Sequence, residues 1–107
     1  MKLQKVVADL IEAQNNQDSV AYAACFADNA VVFDEGKTHR GKNEIQQWIE
    51  NANGEYGSKM KPLGFEETGS EHVLRAEASG TFPGSPAVLT FHLKLQNELI
   101  QSLKITG

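Results

Sequence analysis

The chain reads as an α+β domain, with helices dominating its first half and an antiparallel sheet its second. Two observations carry that prediction. Leu3, Val6, Val7, Leu10 and Ile11 recur at the spacing of one helix face, while Lys2, Lys5, Asp9 and Glu12 fall elsewhere on the wheel. Far downstream, Leu89-Thr90-Phe91-His92-Leu93-Lys94-Leu95 alternates strictly, placing Leu89, Phe91, Leu93 and Leu95 on one face of a strand and Thr90, His92 and Lys94 on the other. At 107 residues, 40% of them apolar and 22% charged, the chain is long enough for one hydrophobic core and too short for a second. One domain spanning residues 1–107 is expected.

The remaining elements follow in order. Asn15-Asn16-Gln17 ends the first helix, and Asp18 is a good N-cap for a second, short one running through Val20, Ala23 and Ala24 towards Phe26. After the turn-prone Asp28-Asn29, the run Ala30-Val31-Val32-Phe33 is β-rich. Glu35-Gly36 then makes a tight turn into a returning strand, Lys37 to Arg40. Gly41 opens a third helix in which Ile45, Trp48, Ile49, Ala52 and Tyr56 share a face, ending around Gly54 to Gly57. Beyond it, turn residues delimit strands at Lys59 to Thr68, Glu71 to Phe82, Pro86 to Gln96 and Leu99 to Thr106, with connections short enough that neighbours pair antiparallel. Between the second and third of these, Pro83 presets the first dihedral of a type II turn and Gly84 supplies its positive φ.

Charge and cysteine content narrow the function classes. Ten Lys plus Arg against fourteen Asp plus Glu gives a net charge of −4, and no basic stripe offers a footprint for phosphate backbones, so nucleic acid is not an expected partner. The single cysteine, Cys25, has no internal partner and sits in alanine-rich helical surroundings that suit a packed thiol. Asp9 and Glu12 interrupt the apolar pattern of Met1 to Gln17, which argues against a secretory leader, and no apolar run reaches membrane-spanning length. A cytoplasmic address and no membrane partner are expected. His39, His72 and His92 are far apart and show none of the local spacings of metal sites, so no metal and no cofactor are expected.

Two stretches carry a resemblance. Phe26-Ala27-Asp28-Asn29-Ala30-Val31-Val32-Phe33-Asp34, followed by His39-Arg40-Gly41-Lys42-Asn43-Glu44-Ile45, resembles the SnoaL-like branch of the nuclear transport factor 2-like (NTF2-like) superfamily. There, an aromatic and an acidic turn lead into a strand ending in Asp, and a glycine starts the next helix. Phe82-Pro83-Gly84-Ser85-Pro86 and the closing Ile100-Gln101-Ser102-Leu103-Lys104-Ile105 are similar to short stand-alone members. The resemblance implies a cone-shaped, cystatin-like roll: three N-terminal helices packed in a strongly bent antiparallel sheet, an apolar cavity at the wide end, and dimerisation through the outer sheet face.

Asp34 resembles, by position, the general base of the superfamily's ketosteroid isomerases. A carboxylate desolvated in an apolar cavity has a raised pKa and becomes a better base for a proton beside a carbonyl. Leu10 and Phe91 stand about where those isomerases carry their oxyanion donors, and neither can donate a hydrogen bond, which argues against that reaction. Asp34 also suits a purely structural role, capping the Asp34-Glu35-Gly36-Lys37 hairpin. His39 and Arg40 lie across the same hairpin, where His39 could shuttle protons and Arg40 hold an anionic group, or both could be solvated edge residues. Leu10, Phe26, Trp48, Phe91 and Leu103 are expected to line the cone, with the Tyr22 and Tyr56 hydroxyls at its margins. Two functions remain open. One is a protein for a small apolar or carbonyl-containing ligand, with cofactor-independent acid–base catalysis of the isomerase, dehydratase or cyclase type. The other is a non-catalytic dimeric binding or scaffold domain whose cavity is filled.

Overall fold

The computed structural model describes residues 3–107; Met1 and Lys2, the latter assigned above to the polar face of the first helix, lie outside the described residues. Helix α1 spans Lys5–Asn15 and α2 Ser19–Ala24; strands β1 (Phe26–Asp34) and β2 (Lys37–Arg40) form a hairpin; α3 spans Gly41–Tyr56; and β3 (Lys59–Thr68), β4 (Glu71–Ser79), β5 (Ala87–Gln96) and β6 (Leu99–Thr106) complete the chain. The apolar stripe of α1 is buried as its spacing requires, at Val6, Val7, Leu10 and Ile11. Asp18 caps α2, its carboxylate accepting the Ala21 N–H at 3.0 Å. Gly57, with φ 57°, ends α3 in a left-handed cap that a side chain would strain.

All six strands form one sheet in the order β2-β1-β6-β5-β4-β3. The pairings are antiparallel except β1 with β6, which run parallel. The register slips at Phe26/Val31 in β1, Pro62/Gly64 in β3 and Lys94/Leu95 in β5. Such irregularities bend the strand that carries them, and three in one sheet curl it around the helices. Helix α1 lies against β3 and α2, while α3 lies against β1, β2 and α2. The enclosed face is a single core that includes Val7, Leu10, Phe26, Val32, Leu93 and Leu103, all fully buried.

Three expected bounds move. Phe26 does not end α2 but opens β1, and the Asp28-Asn29 turn lies inside β1, where the register slip absorbs it. Strand β4 stops at Ser79 instead of Phe82, because the chain there turns back onto the end of α3: Thr81 N–H donates to Tyr56 O at 2.9 Å, and Gly80 N–H to Ser85 Oγ at 2.9 Å. Gly80 permits this approach, since a Cβ there would lie 2.7 Å from the Tyr56 carbonyl oxygen. The turn that follows forms as its sequence predicts, with Gly84 at φ 85° and Ser85 N–H donating to Phe82 O at 3.3 Å.

Candidate active site

Along β1, Ala30 and Val32 are buried and Phe33 after them is exposed, so the period of two places Asp34 in the inward row, at the strand's last residue. The β1–β2 turn is made by Glu35 and Gly36, both with positive φ, which fits a type I′ hairpin. Its register pairs Asp34 with Lys37, Val32 with His39 and Val31 with Arg40. His39 therefore shares the inward face with Asp34, and Arg40 lies on the other. Arg40 instead ends β2 as the N-cap residue of α3, its backbone N–H donating to Glu44 Oε1 at 2.9 Å.

Helix α3 brings the third member. Trp48 sits one turn beyond the buried Ile45, and its indole stacks on the His39 ring with centroids 5.4 Å apart and planes at 28°. On its other side Tyr22 meets it edge-on at 6.0 Å, and Tyr22 in turn packs on Phe26 at 5.7 Å. Asp34 is held above the usual carboxylate range, first by burial and then by the neighbouring Glu35 charge; the nearby Trp48 indole N–H and the His39 ring act in the opposite sense. Burial raises the Tyr22 phenol, with Cys25 and Asp34 adding to the effect, so Tyr22 is a neutral hydroxyl donor throughout the physiological range. Asp34, His39, Trp48 and Tyr22 thus form one group in which a half-buried acid faces two potential donors.

Tyr22 corrects an expectation: it is 2% exposed, a core residue and not a marginal one. The cause is that α3 and β1 close over the inward side of α2, covering Tyr22 and Ala23 and leaving Val20 exposed. Tyr56 does lie towards the edge, packing edge-on against Phe82 with centroids 6.0 Å apart. Leu10, Phe26 and Leu103 are fully buried and Phe91 nearly so, and they fill the middle of the roll with their own side chains. A shallow rim pocket of about 380 Å³ reaches Asp34 from the outer side of the hairpin, between Phe33, Thr38 and Lys104, and His39, Trp48 and Tyr22 do not line it.

The three histidines go to three places. His39 joins Asp34; His72 is partly buried and stacked on Phe65, with Nδ1 3.8 Å from Glu67 Oε1; and His92 lies on the outer face between Glu71 Oε1 at 3.0 Å and Thr106 Oγ1 at 3.3 Å. Among the described residues no group of three or more His, Cys, Asp or Glu side chains is placed to hold a metal ion. Sequence reasoning missed the donor role of Trp48, which spacing marks only as core; the signal available was that an indole N–H in a largely buried position needs an acceptor.

Residues 7–101 match the model of the SnoaL-like domain. The chain belongs to the SnoaL-like family. Its NTF2-like fold is shared with many solved structures. A Sinorhizobium meliloti protein assigned as a polyketide cyclase is 34% identical, with a TM-score of 0.93 over 97% of this chain and 95% of that one. An NTF2-like protein of unknown function from Cytophaga hutchinsonii is 18% identical, with a TM-score of 0.80 over 99% and 93% of the two chains. SalBIII, an epoxide hydrolase/cyclase-like enzyme with a role in pyran ring formation in the polyether salinomycin, is 19% identical, with a TM-score of 0.77 over 94% and 86%. No curated protein matches the sequence closely enough to lend it a function. No described helix of this SnoaL-like domain is long and apolar enough to cross a membrane.

Proposed function

We propose that this SnoaL-like domain is a cofactor-independent acid–base catalyst acting on a small, largely apolar carbonyl compound, with Asp34 as the base. The observation that carries the reading is the placement of Asp34: inward-facing, half-buried, raised in pKa, and surrounded by Trp48, His39 and Tyr22. A carboxylate with a raised pKa removes a proton beside a carbonyl more readily than an ordinary one. Trp48 orients Asp34 and His39 relays the proton outward, while the buried Tyr22 packs against Trp48 and holds it in place. The polyketide cyclase assignment of the 34% identical relative is consistent with carbon–carbon chemistry started by such a deprotonation. The buried, solitary Cys25 needs no oxidising compartment, which fits a cytoplasmic address.

The test is a thermal-shift screen with cyclic and acyclic 1,3-diketones, followed by turnover assays on any compound that raises Tm. Trp48→Phe removes the donor that lowers the Asp34 pKa, so the acidic limb of kcat/KM should move to higher pH while the fold is retained. An unmoved limb would separate the observed titration from Asp34.

A second reading rests on the filled interior. Leu10, Phe26 and Leu103 have no exposed surface, and a roll occupied by its own side chains suits a non-catalytic scaffold. This reading expects no diketone to bind. In either case we infer a homodimer through the outer sheet face, where Val88 is 51% and Phe33 42% exposed beside Thr90, Val73 and His92. Sedimentation of wild type should give twice the monomer mass and Val88→Glu close to the monomer mass; a wild-type monomer at tens of micromolar would sink the dimer.

A further inference from the structure

We propose that the groove between α1, α2 and the β5–β6 turn is a second binding site, one that takes a small organic cation with an ammonium head and an apolar body. It is distinct from the Asp34 carboxylate, which ends β1 while the groove lies beyond that strand's first residue, although Tyr22 sits beside the groove's Ala21 in α2.

The groove encloses about 660 Å³, within the range of small-molecule sites and too small for a partner helix. Its floor is apolar. Ala21, Ala24 and Cys25 from the end of α2 face Leu95 and Leu99 across it, and Ile100 N–H donating to Cys25 O at 2.9 Å ties β6 to α2. Its rim carries four carboxylates: Asp9 and Glu12 from α1, Asp18 from the α2 cap and Glu98 from the turn. Among the described residues a single cation, Lys5, lines it, and its Nζ already lies 2.8 Å from Asp9 Oδ2 on a side chain that is 88% exposed. Asp18 accepts the Ala21 N–H on Oδ1 alone, and Glu12 and Glu98 are exposed.

The charge is segregated in the sequence as well. Between Lys5 and Lys37 the chain has Asp9, Glu12, Asp18, Asp28, Asp34 and Glu35 and no Lys or Arg. Four of the chain's carboxylates thus ring one concavity with almost no opposing charge, a potential that attracts cations and rejects anions. The field reaches the floor: the Cys25 thiol is pushed up to about 11, by burial first and by Asp9 second. An apolar floor alone would accept a neutral molecule equally well, so the rim makes charge the selective feature. An incoming ammonium would share Asp9 with Lys5 and meet Glu12 and Glu98, while its hydrocarbon covers Leu95 and Leu99.

The test compares three probes with one hydrocarbon and different heads, n-hexylammonium, n-hexanol and n-hexanoate, in amide NMR titrations of the full chain at low salt. Hexylammonium should shift Ala21, Ala24, Cys25 and Leu99 saturably, hexanol more weakly, and hexanoate not at all. Raising the salt from about 20 mM to about 300 mM should weaken the hexylammonium complex. The double variant Glu12→Gln/Glu98→Gln, at two exposed sites that leave the core untouched, should weaken it about fivefold without changing hexanol binding. Equal affinity for hexylammonium and hexanol, an unaffected double variant, or shifts confined to Asp34 and its neighbours would each overturn the proposal. None of these outcomes bears on catalysis at Asp34, which the diketone screen tests separately.

Discussion

Asp34→Asn is expected to leave a folded protein that turns over its substrate about 10²–10⁴-fold more slowly, the usual contribution of a positioned base, and that is slightly more heat-stable than wild type at neutral pH. The second effect follows from the sign of the pKa shift. Asp34 is raised from 3.8 in the fold, so the native state holds its proton to higher pH than the unfolded chain does. Between 3.8 and the raised value the native state binds more protons, and stability falls as pH rises through that window. Above it the cost of burying the charge is present in full; below 3.8 both states are protonated and the cost is gone. Asn carries no such charge. Its advantage should therefore be absent near pH 3.5, grow through the window and level off above it, staying under about 1 kcal/mol because the carboxylate is half exposed and partly screened. Melting curves of the two proteins across pH decide the matter. If the variant melts lower than wild type at every pH, Asp34 is a turn carboxylate stabilising the β1–β2 hairpin, and the catalytic reading loses its physical basis.

The way Asp34 became visible explains what the sequence could and could not show. Local rules placed the end of its strand: a β-rich run and a Glu35-Gly36 turn specify a strand that stops at Asp34, and the burial of Ala30 and Val32 then puts it in the inward row. The same kind of rule gave β3 and β6 their bounds and the Pro83-Gly84 turn its geometry. Features that depend on distant parts of the chain were not legible. The parallel pairing of β1 with β6 joins Phe26 to Ile100 and Phe33 to Lys104, contacts that no local pattern encodes. Tyr22 looked marginal because a six-residue helix is too short to define a face; its burial is set by α3 and β1 closing over it. Trp48 was recognisable as core, but its role as a donor to Asp34 arises only when α3 crosses the end of β1. The acid of the candidate site was thus local information, and the donors around it were tertiary.

Those donors depend on packing at the other end of β1, which leads to the largest stability effect expected in the molecule. Phe26→Ala should cost about 3–5 kcal/mol, from lost transfer energy and the cavity left behind, against a total of about 5–15 kcal/mol for a domain of this kind. Phe26 has no exposed surface and opens β1 opposite Ile100, so little of its surroundings can collapse without moving the sheet. Its ring also supports Tyr22 at 5.7 Å, and Tyr22 supports Trp48 at 6.0 Å, so the chain of aromatic contacts runs from the strand's first residue to the group at its last. Phe26→Leu, which keeps much of the volume, should cost less than about 2 kcal/mol yet still loosen Tyr22. Urea unfolding with an unchanged m-value would measure both losses, and the Leu variant should then bind any diketone ligand more weakly while remaining folded. If Phe26→Ala costs under about 1 kcal/mol, the interior is not a tightly filled layer. The scaffold reading, which rests on that filling, would fail with it, and the base at Asp34 would stand beside more space than its rim pocket suggests.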